Sequence, residues 1–175
     1  MTIRDAVPGD GPTLARLNEF VHGFHLDARP DFFRPAPPDE AATWLAALAE
    51  GPATRIWVAE ADRVPVGYVL VYFHERPARP FTHARRWCEI DQIAVDPHWR
   101  RQGAARALTD AVLTEARRRG IRDIELSSWA FNTAAHVAEA NVYQQIYAPV
   151  PMETRGMVVE WDAVGRDEPQ PEPVD

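Results

Sequence analysis

Lysine is missing from this chain of 175 residues, and all 19 of its basic residues are arginines. A phosphate-binding loop of the Walker type, a pyridoxal-phosphate enzyme and a Schiff-base aldolase each depend on a lysine side chain. The sequence therefore excludes these three classes of protein.

Cysteine and long apolar segments are also scarce. The single cysteine, Cys88, cannot form a disulfide within the chain or build a cysteine-rich metal site. The longest apolar run, residues 66–73, is far shorter than the about 20 residues that a membrane-spanning helix needs. The first residues contain an acid and no apolar core, so we expect no signal peptide. A cytoplasmic location without membrane contact is the default expectation.

The charge of the chain is concentrated at its carboxyl end. The formal net charge is −7, and the last fourteen residues contain five acids against one arginine. This balance gives no reason to expect nucleic-acid binding, because such binding needs a basic surface. The sequence predicts one domain over residues 1–162, followed by an acidic, proline-rich tail over 163–175 that has almost nothing to bury and is expected to be disordered.

Hydrophobic periodicity predicts ten elements in the order β-α-α-β-β-β-α-β-α-β. Strands are predicted at 2–6, 55–60, 66–74, 87–95, 121–129 and 156–161, and helices from about 12 onwards and at 39–50, 102–119 and 133–145. A mixed order with a strand–helix–strand crossover indicates an α/β sheet that is partly antiparallel and partly parallel.

The clearest local pattern is an apolar strand that ends at Asp96-Pro97 and is followed by a turn and a helix of small residues. At the helix start, the small side chains of Gly103, Ala104 and Ala105 would let a ligand approach the backbone. Free N–H groups and the helix dipole at such a place bind pyrophosphate, and Arg100 and Arg101 add positive charge. The alternative is a tightly packed junction in which small residues serve packing only.

The run Arg100-Arg101-Gln102-Gly103-Ala104-Ala105 resembles the Gln/Arg-x-x-Gly-x-Gly/Ala signature of the GCN5-related N-acetyltransferase (GNAT) superfamily. Other segments resemble the family in the same order along the chain: residues 3–10, Val66-Gly67-Tyr68, and Asn132 with Ala135. The resemblance extends from about residue 2 to 161. It implies a mixed, mostly antiparallel central sheet flanked by helices, with the fourth and fifth strands splayed apart.

The resemblance also implies acetyl-CoA as cosubstrate. In the gap between the splayed strands, the pantetheine arm would pair with the backbone of Ile93, Ala94 and Val95, and the acetyl carbonyl would accept hydrogen bonds from the same strand. The pyrophosphate would lie on the N–H groups of the residues from Arg101 to Arg106, namely Arg101, Gln102, Gly103, Ala104, Ala105 and Arg106. Asn132 would contact the pantetheine or its bound water. No metal is implied.

Transfer to an amine requires a base, because a protonated amine is not a nucleophile. Strand alternation predicts that Glu89 and Asp91 share a face with Trp87, Ile93 and Val95. The resemblance to the histone-type branch of the superfamily implies Glu89 as the base. The alternative is that one or both acids pair with Arg85, Arg86 or a neighbouring strand.

One position departs from the family. The tyrosine that usually protonates the departing CoA thiolate is replaced by Glu139, and Tyr143 follows one helical turn later. Tyr143 could serve as the acid only if the helix is shifted or extended. The alternative is that Tyr143 packs in the core and water protonates the thiolate.

These inferences predict an acetyl-CoA-dependent N-acetyltransferase that acetylates a primary amine of a small molecule or peptide, as a monomer or homodimer. Two alternatives are a noncatalytic acyl-CoA-binding module and an interaction domain with a vestigial CoA site.

Overall fold

A computed structural model of the chain describes residues 1–126. The described part contains the strands β1 (Thr2–Asp5), β2 (Thr54–Ala61), β3 (Val64–Arg76), β4 (Arg85–Val95) and β5 (Asp123–Leu126), and the helices α1 (Gly11–Ala28), α2 (Pro38–Glu50) and α3 (Ala104–Arg118). Short 3-10 turns at Pro8–Asp10 and Pro97–Trp99 precede α1 and α3. The predicted order is confirmed through β5. The helix predicted at 133–145, the strand predicted at 156–161 and the acidic tail lie outside the described residues.

The strands form one sheet in the order β1-β2-β3-β4-β5. Neighbouring strands are antiparallel from β1 to β4, and only β4 and β5 are parallel. The prediction of a mixed, mostly antiparallel sheet is therefore confirmed. Among the described residues, β4 and β5 pair from Trp87 and Asp123 to Ile90 and Leu126, and the predicted divergence of the two strands lies outside the described residues.

Helices cover both faces of the sheet, and each face has its own core. Leu14 and Leu17 of α1 and Leu45 of α2 pack on one face against buried side chains of β2 and β3. Leu108 and Val112 of α3 pack on the other face against Val66, Val69, Val71, Cys88 and Ile90. Full burial of each such aliphatic side chain contributes about 1.5–3 kcal/mol, so the sheet is fixed between the two layers.

A register shift of one residue interrupts the pairing of β3 with β4. Leu70 pairs with Gln92 and Val71 pairs with Ile90, so Asp91 is an extra residue on β4. The shift changes which face the following side chains occupy, since one added residue reverses strand alternation.

The shift contradicts one part of the face prediction for β4. Ile93 and Val95 pack against the α3 core, together with Cys88 and Ile90, whereas Glu89 is on the opposite face beside His74. The prediction that Glu89 shares a face with Ile93 and Val95 is therefore wrong, because alternation was extended through a point where the strand is irregular.

An ion cluster around Glu115 connects α3 to the sheet. The carboxylate of Glu115 accepts hydrogen bonds from Nε of Arg118 at 2.7 Å, Nε of Arg119 at 2.7 Å and Nη1 of Arg55 at 2.9 Å. Its side chain is only 8% exposed. The hydrogen bond from Arg118, followed by that from Arg119, lowers the pKa of Glu115 to about 2.

We expect Glu115→Gln to lower the free energy of unfolding at pH 7 by about 1–3 kcal/mol, because the charged form of Glu115 is stabilised in the folded state. Since its folded pKa lies below its unfolded pKa, this contribution is present above the unfolded value and is lost as pH falls towards about 2. Urea unfolding at pH 7, 5 and 3 measures the difference. An equal loss of stability at all three pH values, or a similar loss in the exposed control Glu50→Gln, would contradict the account.

Candidate active site

The turn before α3 leaves a row of backbone N–H groups without partners. Gly103 and Arg101 have positive φ angles of 87° and 61°, and the first backbone bond of the helix runs from the N–H of Ala107 to the carbonyl of Gly103 at 2.9 Å. Within residues 1–126, the backbone N–H groups from Arg101 to Arg106 form no hydrogen bond. The turn therefore presents consecutive donors at the positive end of a helix of 15 residues.

The small residues of this turn have different roles. Ala104 is buried in the α3 core, so packing accounts for its small side chain. An added Cβ at Gly103 would meet no atom within 4 Å, so packing does not require glycine at that position. Glycine is instead favoured at position 103 because the backbone there is left-handed. The absence of a side chain also keeps the space outside the N–H groups open.

The charges around the turn are positive and accessible. Arg100, Arg101 and Arg106 are exposed, and Gln102 fixes the turn by donating its side-chain amide to the carbonyl of His98 at 2.9 Å. The predicted residues of this segment are thus brought together at one surface, and an anion is the ligand that such a surface favours.

The carboxyl-terminal half of β4 leads directly into this turn. Ile93 and Val95 point to the α3 core, and Ala94 is buried on the other face. Gly67 of β3 lies opposite Val95, and a Cβ at Gly67 would come within 2.7 Å of the Ala94 carbonyl oxygen. Glycine at this position therefore lets β3 approach β4 closely beside the N–H donors.

Two of the predicted site residues cannot be placed. Asn132 and Tyr143 lie outside the described residues, and their roles stay predictions.

Glu89 lies in the middle of β4 with a histidine as its partner. Oε2 of Glu89 is 2.7 Å from Nε2 of His74, and the two side chains are 36% and 34% exposed. The sequence analysis allowed Glu89 a partner on a neighbouring strand but did not identify His74 as that partner.

Asp91, the extra residue of β4, is close to Glu89. Burial by the surrounding protein raises the pKa of the Asp91 carboxyl group. The negative charge of Glu89 raises this pKa further. Part of the side chain still reaches solvent. The carboxylate of Asp91 is therefore a stronger base than that of an ordinary aspartate.

The nearby Arg85 is engaged elsewhere. It binds Asp123 at 2.8 Å and Glu125 at 2.7 Å, both on β5. Within residues 1–126, neither Glu89 nor Asp91 forms an ion pair with an arginine. The described part of the chain thus gives no support to pairing of these two acids with arginines, whereas the contact of Glu89 with His74 agrees with the alternative of a partner on a neighbouring strand.

A buried polar network beside the register shift was not predicted from the sequence. The Tyr68 hydroxyl donates to Oε1 of Gln92 at 2.7 Å, and the side-chain amide of Asn18 donates to both the hydroxyl and Oε1 at 2.7 and 3.1 Å. Burial raises the pKa of Tyr68. The network connects α1, β3 and β4 at the irregular point of β4, and no local sequence pattern indicated a contact among these three elements.

The model of the acetyltransferase (GNAT) family matches residues 20–144, which is more than half of the chain. The chain belongs to the GNAT family. Its fold and the order of its motifs agree with this assignment, and the predicted resemblance is confirmed.

Solved structures with the same fold include GNAT acetyltransferases. The tetramutant of the BH1408 protein from Bacillus halodurans has 24% identity and a TM-score of 0.78 over 91% of this chain and 99% of that chain. The acetyltransferase from Vibrio fischeri has 24% identity and a TM-score of 0.59 over 72% and 94%. AAC(6')-Iy in complex with the bisubstrate analogue CoA-S-monomethyl-acetylneamine has 16% identity and a TM-score of 0.63 over 81% and 88%. None of the curated proteins matches the chain in sequence.

Residues 1–126 contain neither a candidate membrane span nor a candidate metal site. No helix in that part is long and apolar enough to cross a membrane. The same residues contain no group of three or more histidine, cysteine or acidic side chains that could hold a metal ion.

We expect Tyr68→Phe to lower the free energy of unfolding by about 1–2 kcal/mol, because the half-buried amide groups of Gln92 and Asn18 lose a shared partner. Tyr72→Phe is the matched control, since no hydrogen bond to the Tyr72 hydroxyl is present in the described part of this GNAT protein. Chemical denaturation of both variants measures the difference. Equal effects of the two substitutions would contradict a stabilising role of the network.

Proposed function

We propose that this GNAT protein transfers the acetyl group of acetyl-CoA to a primary amine of a small molecule or peptide. The observation that carries the proposal is the row of unpaired N–H groups from Arg101 to Arg106 at the start of α3. A row of this kind suits a pyrophosphate, and acetyl-CoA contains one. AAC(6')-Iy, which shares the fold, has been captured with CoA and with a CoA bisubstrate analogue.

The donor site would extend from this turn along β4. The pyrophosphate would accept hydrogen bonds from the N–H groups of Arg101, Gln102, Gly103, Ala104, Ala105 and Arg106. Arg100 and the exposed guanidinium groups of Arg101 and Arg106 would add favourable charge. The pantetheine arm would follow the backbone of Ile93, Ala94 and Val95, and Asn132 would contact it.

The acceptor side would lie at Glu89 and Asp91. An ammonium group is attracted by these two carboxylates and must lose one proton before it can attack. The amine nitrogen would then bond to the thioester carbon, and the carbonyl oxygen would accept hydrogen bonds from the backbone of β4. Collapse of this intermediate breaks the carbon–sulfur bond, the nitrogen releases its second proton to solvent, and the CoA thiolate takes a proton from Tyr143 or from water.

Small-molecule amines are the preferred acceptor class. A metagenomic aminoglycoside acetyltransferase with 20% identity shares the fold and has been captured with sisomicin. A peptide amine would present the same ammonium group to Glu89 and Asp91, so peptides belong in the same test.

The function is tested by incubating the full chain with acetyl-CoA and a panel of aminoglycosides, polyamines, amino acids and peptides. We expect one molecule of acetylated amine, identified by its mass, for each molecule of free CoA thiol that is released. Binding of acetyl-CoA without transfer to any amine would favour the noncatalytic binding module, and absence of binding would favour the interaction domain.

We expect Gly103→Glu to abolish acetyl-CoA binding, because the new carboxylate would lie over the N–H groups and repel the pyrophosphate. Gly120→Glu is the matched control: Gly120 follows the other end of α3, has a φ of 67° and has no atom within 4 Å of an added Cβ. Both changes carry a backbone cost of about 1–2 kcal/mol, but only the first should remove binding. Isothermal titration calorimetry measures the affinity, and unchanged affinity of folded Gly103→Glu would refute the donor site.

We expect Glu89→Gln to lower kcat about 10²–10⁴-fold with little change in acetyl-CoA affinity, as for the loss of a general base. Asp91→Asn should reduce kcat less. The exposed Glu75, on the neighbouring strand, provides the control Glu75→Gln. Steady-state kinetics with the best amine of the panel measures the three effects, and a larger loss in Asp91→Asn would mean that the two acids exchange roles.

A further inference from the structure

His74 is the residue of the candidate active site that the proposed reaction leaves without a role. It lies on β3 opposite Trp87, and Tyr72 of the same strand lies opposite Glu89. His74 and Glu89 are therefore diagonal neighbours on one face of the sheet, joined by the 2.7 Å contact between Nε2 and Oε2.

We propose that His74 and Glu89 form a proton-accepting dyad, in which the imidazole takes the amine proton and the carboxylate orients and stabilises the imidazolium. This inference rests on the proposed function and identifies which group accepts the proton of the amine. It changes the role of Glu89 from the proton acceptor itself to the partner of the acceptor.

Stacking fixes the imidazole ring in place. The His74 ring lies 4.7 Å from that of Trp87 at an interplanar angle of 18°, and 6.1 Å from that of Tyr72 at 26°. Arg85 lies 5.0 Å from the centre of the Trp87 ring, and it is anchored by its ion pairs with β5. A ring held in this way loses little freedom when it reacts, which is what a positioned base requires.

The hydrogen bond to Glu89 sets the proton positions. A carboxylate accepts only, so Nε2 of neutral His74 carries the hydrogen that it donates to Oε2. Nδ1 then holds a lone pair, and within residues 1–126 it has no hydrogen-bond partner. The side chain is 34% exposed, so the ring is accessible from solvent.

The proton transfer is balanced within the proposed reaction. An N–H bond of the substrate ammonium breaks, its proton bonds to Nδ1, and the freed electron pair attacks the thioester carbon. The positive charge now on the imidazolium is compensated by Glu89 through a charge-assisted hydrogen bond. The proton returns to solvent after the acetylated amine has left.

The test uses His74→Gln, Glu89→Gln and the double variant in the full chain. Glutamine at position 74 can still donate a hydrogen bond but is not a useful base. We expect His74→Gln to lower kcat by at least about 10²-fold, with acetyl-CoA affinity within about twofold of the wild type. The double variant should be no more than about threefold slower than the slower single variant, because groups that act as a unit are not additive. His83→Gln, at an exposed loop position, is the control and should retain wild-type kcat.

A second measurement separates proton transfer from a structural role. Added imidazole should restore the activity of His74→Ala at least about tenfold, since a diffusible base replaces the lost ring. The proposal is overturned if His74→Gln keeps kcat within about threefold of the wild type, if the losses of the two single variants multiply, or if imidazole gives no rescue. If the wild type transfers the acetyl group and His74→Gln is equally active, the dyad is refuted and the proposed function stands. If the wild type acetylates no amine, the proposed function itself is refuted.

Discussion

The register shift that adds Asp91 to β4 is the constraint on which the arrangement of the site depends. It lets Cys88, Ile90, Ile93 and Val95 all face the α3 core, although their spacing along the chain is not regular. Strict alternation after Ile90 would turn Gln92 into that apolar core and move Ile93 out of it. Burying an amide without partners is costly, so the irregular strand is the arrangement that satisfies both faces.

The same shift connects the hydrophobic core to the chemistry of the other face. Gln92 is directed towards α1, where Asn18 and Tyr68 satisfy it. Glu89 lies on this face beside His74, and Asp91 lies at the shift itself. The residues after the shift run directly into the turn whose N–H groups are unpaired. The residues proposed for acceptor chemistry and for donor binding therefore lie along one strand, between α1 on one face and α3 on the other.

Local sequence patterns predicted the parts of this arrangement that depend on neighbouring residues. The helix of small residues after Asp96-Pro97 and the element order up to β5 follow from short-range signals, and the structure has them. The contact between His74 and Glu89 depends on how β3 and β4 pair, and alternation cannot reveal a shift within that pairing. The network of Asn18, Tyr68 and Gln92 joins three elements, so local sequence patterns could not predict it either. Asn132 and Tyr143 stay predictions.

The central claim is that acetyl-CoA binds at the amino end of α3 and along the end of β4. Amide chemical shifts of the ¹⁵N-labelled chain, followed during titration with acetyl-CoA, test this claim most directly. The account predicts that the largest shifts occur at Arg101–Arg106 and extend to Ile93, Ala94 and Val95. Shifts centred on another surface, such as the ion cluster around Glu115, or no shifts at saturating acetyl-CoA, would contradict it.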